Sequence, residues 1–310
     1  MMRKAGVGRA IGWALALAAC AGAPVTSADP VPPMEPAAAP SPVPAPAEKA
    51  ALDLHCAGAL IQGGIALCRT APAAGLWIEG KEATKADQTG LAVIGFDRDS
   101  NAMVQVEARL GGVVATQELR IAPQSYRVQR VDGLPPQTVT PTEPAVLKKI
   151  ERDSAAKAKA FASQAAIDGF LDGFAWPVEG RVTGPFGAQR ILNGEPRSPH
   201  YGVDLALPTG SPIRAPASGL VVLAQVDMHF EGGLVLIDHG QGLVSMYLHM
   251  SRIDVAAGQE VAQGQSLGAV GASGRATGPH LCWRMRWRGR HLDPSLAIDG
   301  LARAKTELGL

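Results

Sequence analysis

The chain has 310 residues, enough for about two domains. Its formal net charge of +1 leaves no strong field for nucleic acid, and no basic run supplies one locally. Aromatic residues make up 5% of the chain against 36 Gly and 24 Pro, a balance that favours strands, turns and linkers over a helical protein.

Residues 1–22 read as an export signal: Arg3, Lys4 and Arg9 form a positive start, and Ile11 to Ala19 a short apolar core. That core is too short to span a bilayer as a mature helix. It ends in Leu17-Ala18-Ala19-Cys20, the pattern of a lipoprotein processing site at which Cys20 becomes the lipidated first residue. The alternative is an ordinary signal cut nearby, with Cys20 incidental. Residues 23–50 are rich in Pro and Ala. Such a segment cannot bury a core and extends toward polyproline conformations, as a tether does.

Residues 51–140 carry short alternating or apolar runs, GLWIEGK, LAVIGF, AMVQVEARL, GVVATQELRI and YRVQRV, most of them bounded by turn formers. They predict a small N-terminal β-domain. Cys56 and Cys68 lie near its start. In an exported protein they are expected to pair, closing a short loop at a gain of about 3 kcal/mol; the alternative is two free thiols. Residues 141–174 then change character, with apolar residues at helical spacing, charges between them, and Pro144 suited to a first turn. They predict a connecting helix. From residue 175 to 300 short runs separated by Gly-rich turns predict an antiparallel β-sheet domain, with 301–310 as a tail. The chain as a whole reads as mainly β.

Two strings in this last domain carry chemistry. SPHYGVDLA places His200 four residues before Asp204, and TGPHLCW places His280 two before Cys282; His249 lies between them in MYLHMS. Alternate side chains of a strand share a face, so His280 and Cys282 look the same way, with Arg284 and Arg286 continuing that face. Leu281, Trp283, Met285 and Trp287 fall on the other. Gly202 allows close backbone approach between His200 and Asp204. A His, an Asp and a soft or nitrogen ligand converging on one point leave a fourth position open, as a catalytic zinc requires.

HYGVDLALPTGSPIRAPASGLVV, followed by YLHMSRIDVAAGQEVAQGQSLGAVGASGRATGPHLCW, resembles the lysostaphin-type (LytM-like) zinc metallopeptidases of bacterial cell walls, over roughly residues 176–298. The resemblance implies a compact groove-bearing β-fold, Zn2+ as cofactor and peptidoglycan as substrate. It makes His200 and Asp204 the first two metal ligands, and His249 and His280 the two catalytic, non-ligand histidines, with His280 the expected base. The family's third ligand is the second His of an H-x-H pair; here that position is Cys282. A thiolate is a good zinc ligand, though it donates more charge and lowers Lewis acidity. The other reading of Cys282 is a site that has lost its metal.

With Cys20 lipidated and Cys282 on the metal, all four cysteines have an occupation. Tyr247, two residues before His249, is expected to hydrogen-bond near the site. Arg284 and Arg286 are expected to hold stem-peptide carboxylates, or simply to be solvated on the strand's outer face. The implied protein is a periplasmic, outer-membrane lipoprotein (Ala21 follows Cys20 where Asp would mark inner-membrane retention) that cuts peptide cross-links of peptidoglycan. The alternative within the resemblance is a non-catalytic protein that activates a cell-wall amidase or serves a division partner.

Overall fold

The computed structural model describes residues 51–133 and 139–310, all within one compact unit. The expected export signal, Cys20 and the Pro/Ala tether lie outside the described residues. The expected mainly β architecture is what the chain forms, and the described residues include the α-helices α1 (Pro144–Phe161) and α2 (Pro294–Glu307). Among the described residues no helix is long and apolar enough to cross a membrane.

Two antiparallel sheets build the front of the unit. One pairs His55–Gly58, Ile65–Arg69 and Leu91–Gly95; the other orders Lys81–Lys85, Gly75–Ile78, Met103–Leu110 and Val113–Arg120. In Met103–Leu110 alternation turns Val104, Val106 and Ala108 inward, while Met103 and Gln105 stay exposed. Cys56 and Cys68 are direct cross-strand partners and form a disulfide.

The main sheet has eight antiparallel strands. Its path runs Glu260–Val261, Gly219–Met228, Gly232–Asp238, Leu243–Met250, His280–Trp287, Val203–Ala206 and Arg181–Gly184, with Arg290–Leu292 pairing off His280–Trp287. Beneath it, Trp283, Trp287, Met285 and Leu281 share one apolar core with Leu67, Val93 and Ile94 of the front sheets. Fully burying side chains of this size stabilises by about 1.5–3 kcal/mol each. The other face of the sheet packs Leu234, Leu236, Met246 and Leu248 against Ala160, Ala156 and Phe161 of α1.

Three segments sit differently from the sequence-based expectation. Val128–Val131 is a strand, but its partner is Gln189–Leu192, in parallel, so the end of the expected front domain is built into the back one. Gln189–Leu192 also pairs with Glu195–Arg197. The expected 141–174 helix covers only Pro144–Phe161, followed by a 3-10 turn at Gly169–Leu171. The expected 301–310 tail is largely the second half of α2. Asp293 caps this helix by accepting from Ser295 N at 3.0 Å. Ala297, Leu301 and Ala304 fall on one face and are fully buried. That face packs on His55–Gly58 and Ile65–Arg69, tying the end of the chain to its front sheet.

Candidate metal centre

His200 precedes the Val203–Ala206 strand, on which Asp204 stands directly opposite Cys282 of His280–Trp287. Cross-strand pairing brings these two side chains together, and the approach depends on glycine. A Cβ on Gly202 would lie 2.6 Å from Arg284 Cγ and 3.2 Å from Cys282 Sγ. The ligand atoms of His200, Asp204 and Cys282 all lie within 4.8 Å of one another. His200 Nε2 is 3.0 Å from Asp204 Oδ1 and 3.4 Å from Cys282 Sγ.

Backbone carbonyls orient all three histidines. His200 Nδ1 lies 3.3 Å from Pro185 O, His249 Nδ1 2.8 Å from Ser273 O, and His280 Nδ1 2.8 Å from Gly278 O. A carbonyl can only accept, so each favours the Nδ1–H tautomer, leaving the Nε2 lone pair for the site. Asp204 Oδ1 is buried and takes no hydrogen bond in this geometry. Lone pairs of nitrogen and oxygen thus face each other beside a buried sulfur. That is a poor arrangement for polar groups alone and a good one around a cation.

Burial lowers His200 and takes His249 down to about 4, so both imidazoles are neutral near pH 7. Burial by itself raises the Asp204 carboxyl, but its polar neighbours together more than offset this and hold the group below the usual carboxylate range, so it is ionised. Burial pushes the Cys282 thiol up to about 12, against the pull of the Arg284 guanidinium. A metal ion would displace that thiol proton on binding.

His249 reaches the site through a break in strand regularity. The pairing of Gly232–Asp238 with Leu243–Met250 slips between Gly233 and Val235, and His249 takes φ +66°. This bulge turns His249 to the same side as Leu248, and both line one cavity. His249 and His280 then lie with ring centroids 4.7 Å apart, and His280 Nε2 is 3.7 Å from Asp204 Oδ1.

Two expected site residues are placed elsewhere. Tyr247 is fully buried on the opposite face, its hydroxyl 2.7 Å from Ser245 Oγ, which in turn is 2.7 Å from His239 Nε2. Strand alternation would have put it beside His249, and the bulge removes that relation. Arg286 lies under α1 with its guanidinium 4.2 Å from the Phe161 ring centroid, outside the cavity. Arg284 is in the cavity, its Nε donating to Cys282 Sγ at 3.3 Å.

The cavity measures about 340 Å³. Besides the residues above, Gln129, Arg190, Glu231 and Arg275 line it. Sequence reasoning missed all four: none lies in a chemical motif, and Gln129 and Arg190 arrive only through the parallel pairing of Val128–Val131 with Gln189–Leu192.

A family model described as Peptidase family M23 matches residues 198–294. The peptidoglycan DD-endopeptidase ShyA of Vibrio cholerae is 38% identical over 118 residues, 37% of this chain and 27% of the relative. The cell division protein DipM of Caulobacter vibrioides is 33% identical over 131 residues, 40% of this chain and 21% of the relative. The chain therefore spans only about a quarter of the length of the curated relatives it matches. A solved structure of a putative peptidase M23 from Pseudomonas aeruginosa is 30% identical, with a TM-score of 0.59, over 77% of this chain and 95% of that one. On the matching motif segment and this near-complete structural relative, the chain belongs to peptidase family M23.

Proposed function

We propose that this protein is an exported zinc metalloendopeptidase that hydrolyses peptide bonds in peptidoglycan stem peptides or cross-links. The observation that carries the reading is the convergence of His200 Nε2, Asp204 Oδ1 and Cys282 Sγ beside His249 and His280 in one cavity. Imidazole nitrogen, carboxylate oxygen and thiolate sulfur are the donors zinc takes. His200 Nε2 lies 3.0 Å from the Asp204 oxygen and 3.4 Å from the Cys282 sulfur, so the three donors surround one point. His200, Asp204 and Cys282 would hold the ion, which when bound supplies Lewis acidity to polarise a carbonyl and acidify water.

The chain's own groups do the rest. His280 and His249 each hold a proton at Nδ1 against a carbonyl and offer Nε2 as acceptor. His280, nearer Asp204, is assigned as the base that takes the nucleophile's proton. A protonated imidazole is then a donor, able to return the proton to the leaving amine. The same reading makes Cys20 a lipid anchor to the outer membrane from the periplasmic side, residues 23–50 its tether, and the front β-region a positioning element for the peptidase.

The second reading rests on Cys282 itself, in the place where the family carries His. A protein that had lost its metal would act by binding, for instance as an activator of a cell-wall amidase. Digestion of cross-linked muropeptides by the purified protein, followed by mass spectrometry, separates the two. Conversion of dimers to monomers is expected, with a loss of at least about 100-fold in Asp204→Ala, in line with removal of a metal ligand. Intact dimers with zinc-loaded protein would leave the binding role.

A further inference from the structure

The cavity holds more positive charge than the chemistry above uses. Arg190, Arg275 and Arg284 all line it. Arg190 Nη2 stands 3.6 Å from Asp204 Oδ2, Arg284 Nε binds the Cys282 sulfur, and the Arg275 guanidinium lies 4.5 Å from the Phe230 ring centroid. Burial, together with the charges of Arg190 and Arg284, holds Arg275 below the ordinary arginine value. The three cations are thus close enough to repel one another.

Counter-charge is incomplete. Glu231, the other acid on the cavity wall, is paired with Lys157 of α1. Asp204 answers one of the three cations, Arg190, at 3.6 Å. Among the described residues neither Arg275 nor Arg284 meets a carboxylate at ion-pair distance. A divalent ion held by the Asp204 carboxylate and the Cys282 thiolate would make a neutral centre, so it would take up the one negative charge that Asp204 offers Arg190. A neutral peptide would leave the guanidinium groups facing each other, whereas a carboxylate would be met by rigid forks that match it.

We propose that Arg190, Arg275 and Arg284 form a carboxylate subsite, so that the peptide this enzyme takes carries a free carboxylate on a residue beside the scissile bond. This rests on the peptidase reading and narrows it to an anionic substrate class. Two of the three arginines lie outside the ligand motifs. Arg275 comes from the loop before His280, and Arg190 from the strand that pairs with Val128–Val131. The subsite is therefore assembled across segments distant in the chain.

The test uses cross-linked muropeptide dimers with their carboxyl groups free, and the same dimers after carboxyl amidation. Binding to the full protein is measured calorimetrically with EDTA present, so that neither dimer is consumed, and cleavage is measured separately with zinc. Free-carboxylate dimers are expected to bind about 10-fold tighter or more, the scale of a charge-assisted pair. Arg275→Gln and Arg190→Gln should each shrink that preference several-fold. Arg275 stands on a loop and not in the core, so its variant should keep the wild-type circular dichroism spectrum. Equal binding of both dimers by wild type, or a preference unchanged in both variants, would overturn the subsite. Preferential binding without cleavage of either dimer would keep the subsite and remove the peptidase reading. Cleavage of both dimers at equal efficiency, with equal binding, would do the reverse.

Discussion

The two faces of the His280–Trp287 strand differ in what they tolerate. One sets Leu281, Trp283, Met285 and Trp287 into a core continuous with the front sheets and α2. The other sets His280, Cys282 and Arg284 toward the cavity, with Arg286 under α1. On the first face position is fixed by volume and dryness; on the second it is fixed by carbonyls that orient imidazoles and by cross-strand pairing of Asp204 with Cys282. The rigid face holds the reactive one in register, so damage to the first should cost folding and damage to the second should cost metal.

The largest effect is expected on the closed face. Trp283 is fully buried, opposite Tyr247 across the strand pair and in edge contact with Trp176 at 5.6 Å. Trp283→Ala should lower unfolding free energy by about 3–5 kcal/mol in urea titration. A loss under about 1 kcal/mol would mean that this face does not brace the site.

Next comes acid. His239, fully buried in the same part of the fold, is held down to about 4 by burial, from an ordinary 6.5. Between those values the unfolded chain binds a proton that the folded one does not. The His239 contribution to stability is therefore complete above about pH 6.5 and is lost as pH falls toward 4, by up to about 1.4 kcal/mol per pH unit, and His249, also held down to about 4, adds a second such loss. Urea midpoints across that range should fall with pH, and His239→Gln should flatten the slope. A variant as acid-sensitive as wild type would contradict the assignment.

The smallest effect sharpens the contrast between neighbouring arginines. Arg286→Ala removes one cation–π contact, for about 0.5–1 kcal/mol of stability, and should leave zinc content unchanged. Arg284→Ala, which takes away the guanidinium on the Cys282 sulfur, should weaken zinc retention. Equal behaviour of the two variants in a zinc competition assay would erase that distinction.

Much of this was legible in the chain. Alternation in HLCWRMRW separated the two faces of the strand, and the motifs that resemble the metallopeptidase family named His200, Asp204 and Cys282, which meet in the fold. What escaped was set by contacts between distant segments. Tyr247 was placed on the wrong face because a bulge at His249 leaves no mark in a run as uniformly buried as LVSMYLHM. Arg286 looked equivalent to Arg284 because nothing local says that Phe161 will cover it. YRVQRV read as a strand, but strand propensity does not choose a partner, and its pairing with Gln189–Leu192 joins what looked like separate domains.

The central claim is that Cys282 completes a zinc site rather than marking a lost one. Zinc per chain in the purified protein, measured beside a Cys282→Ser variant, tests it most directly. The account predicts close to one zinc per wild-type chain and a clear fall in the variant, with the folded spectrum retained. A wild-type protein free of zinc after metal-replete purification, or a variant that holds zinc equally well, would contradict it.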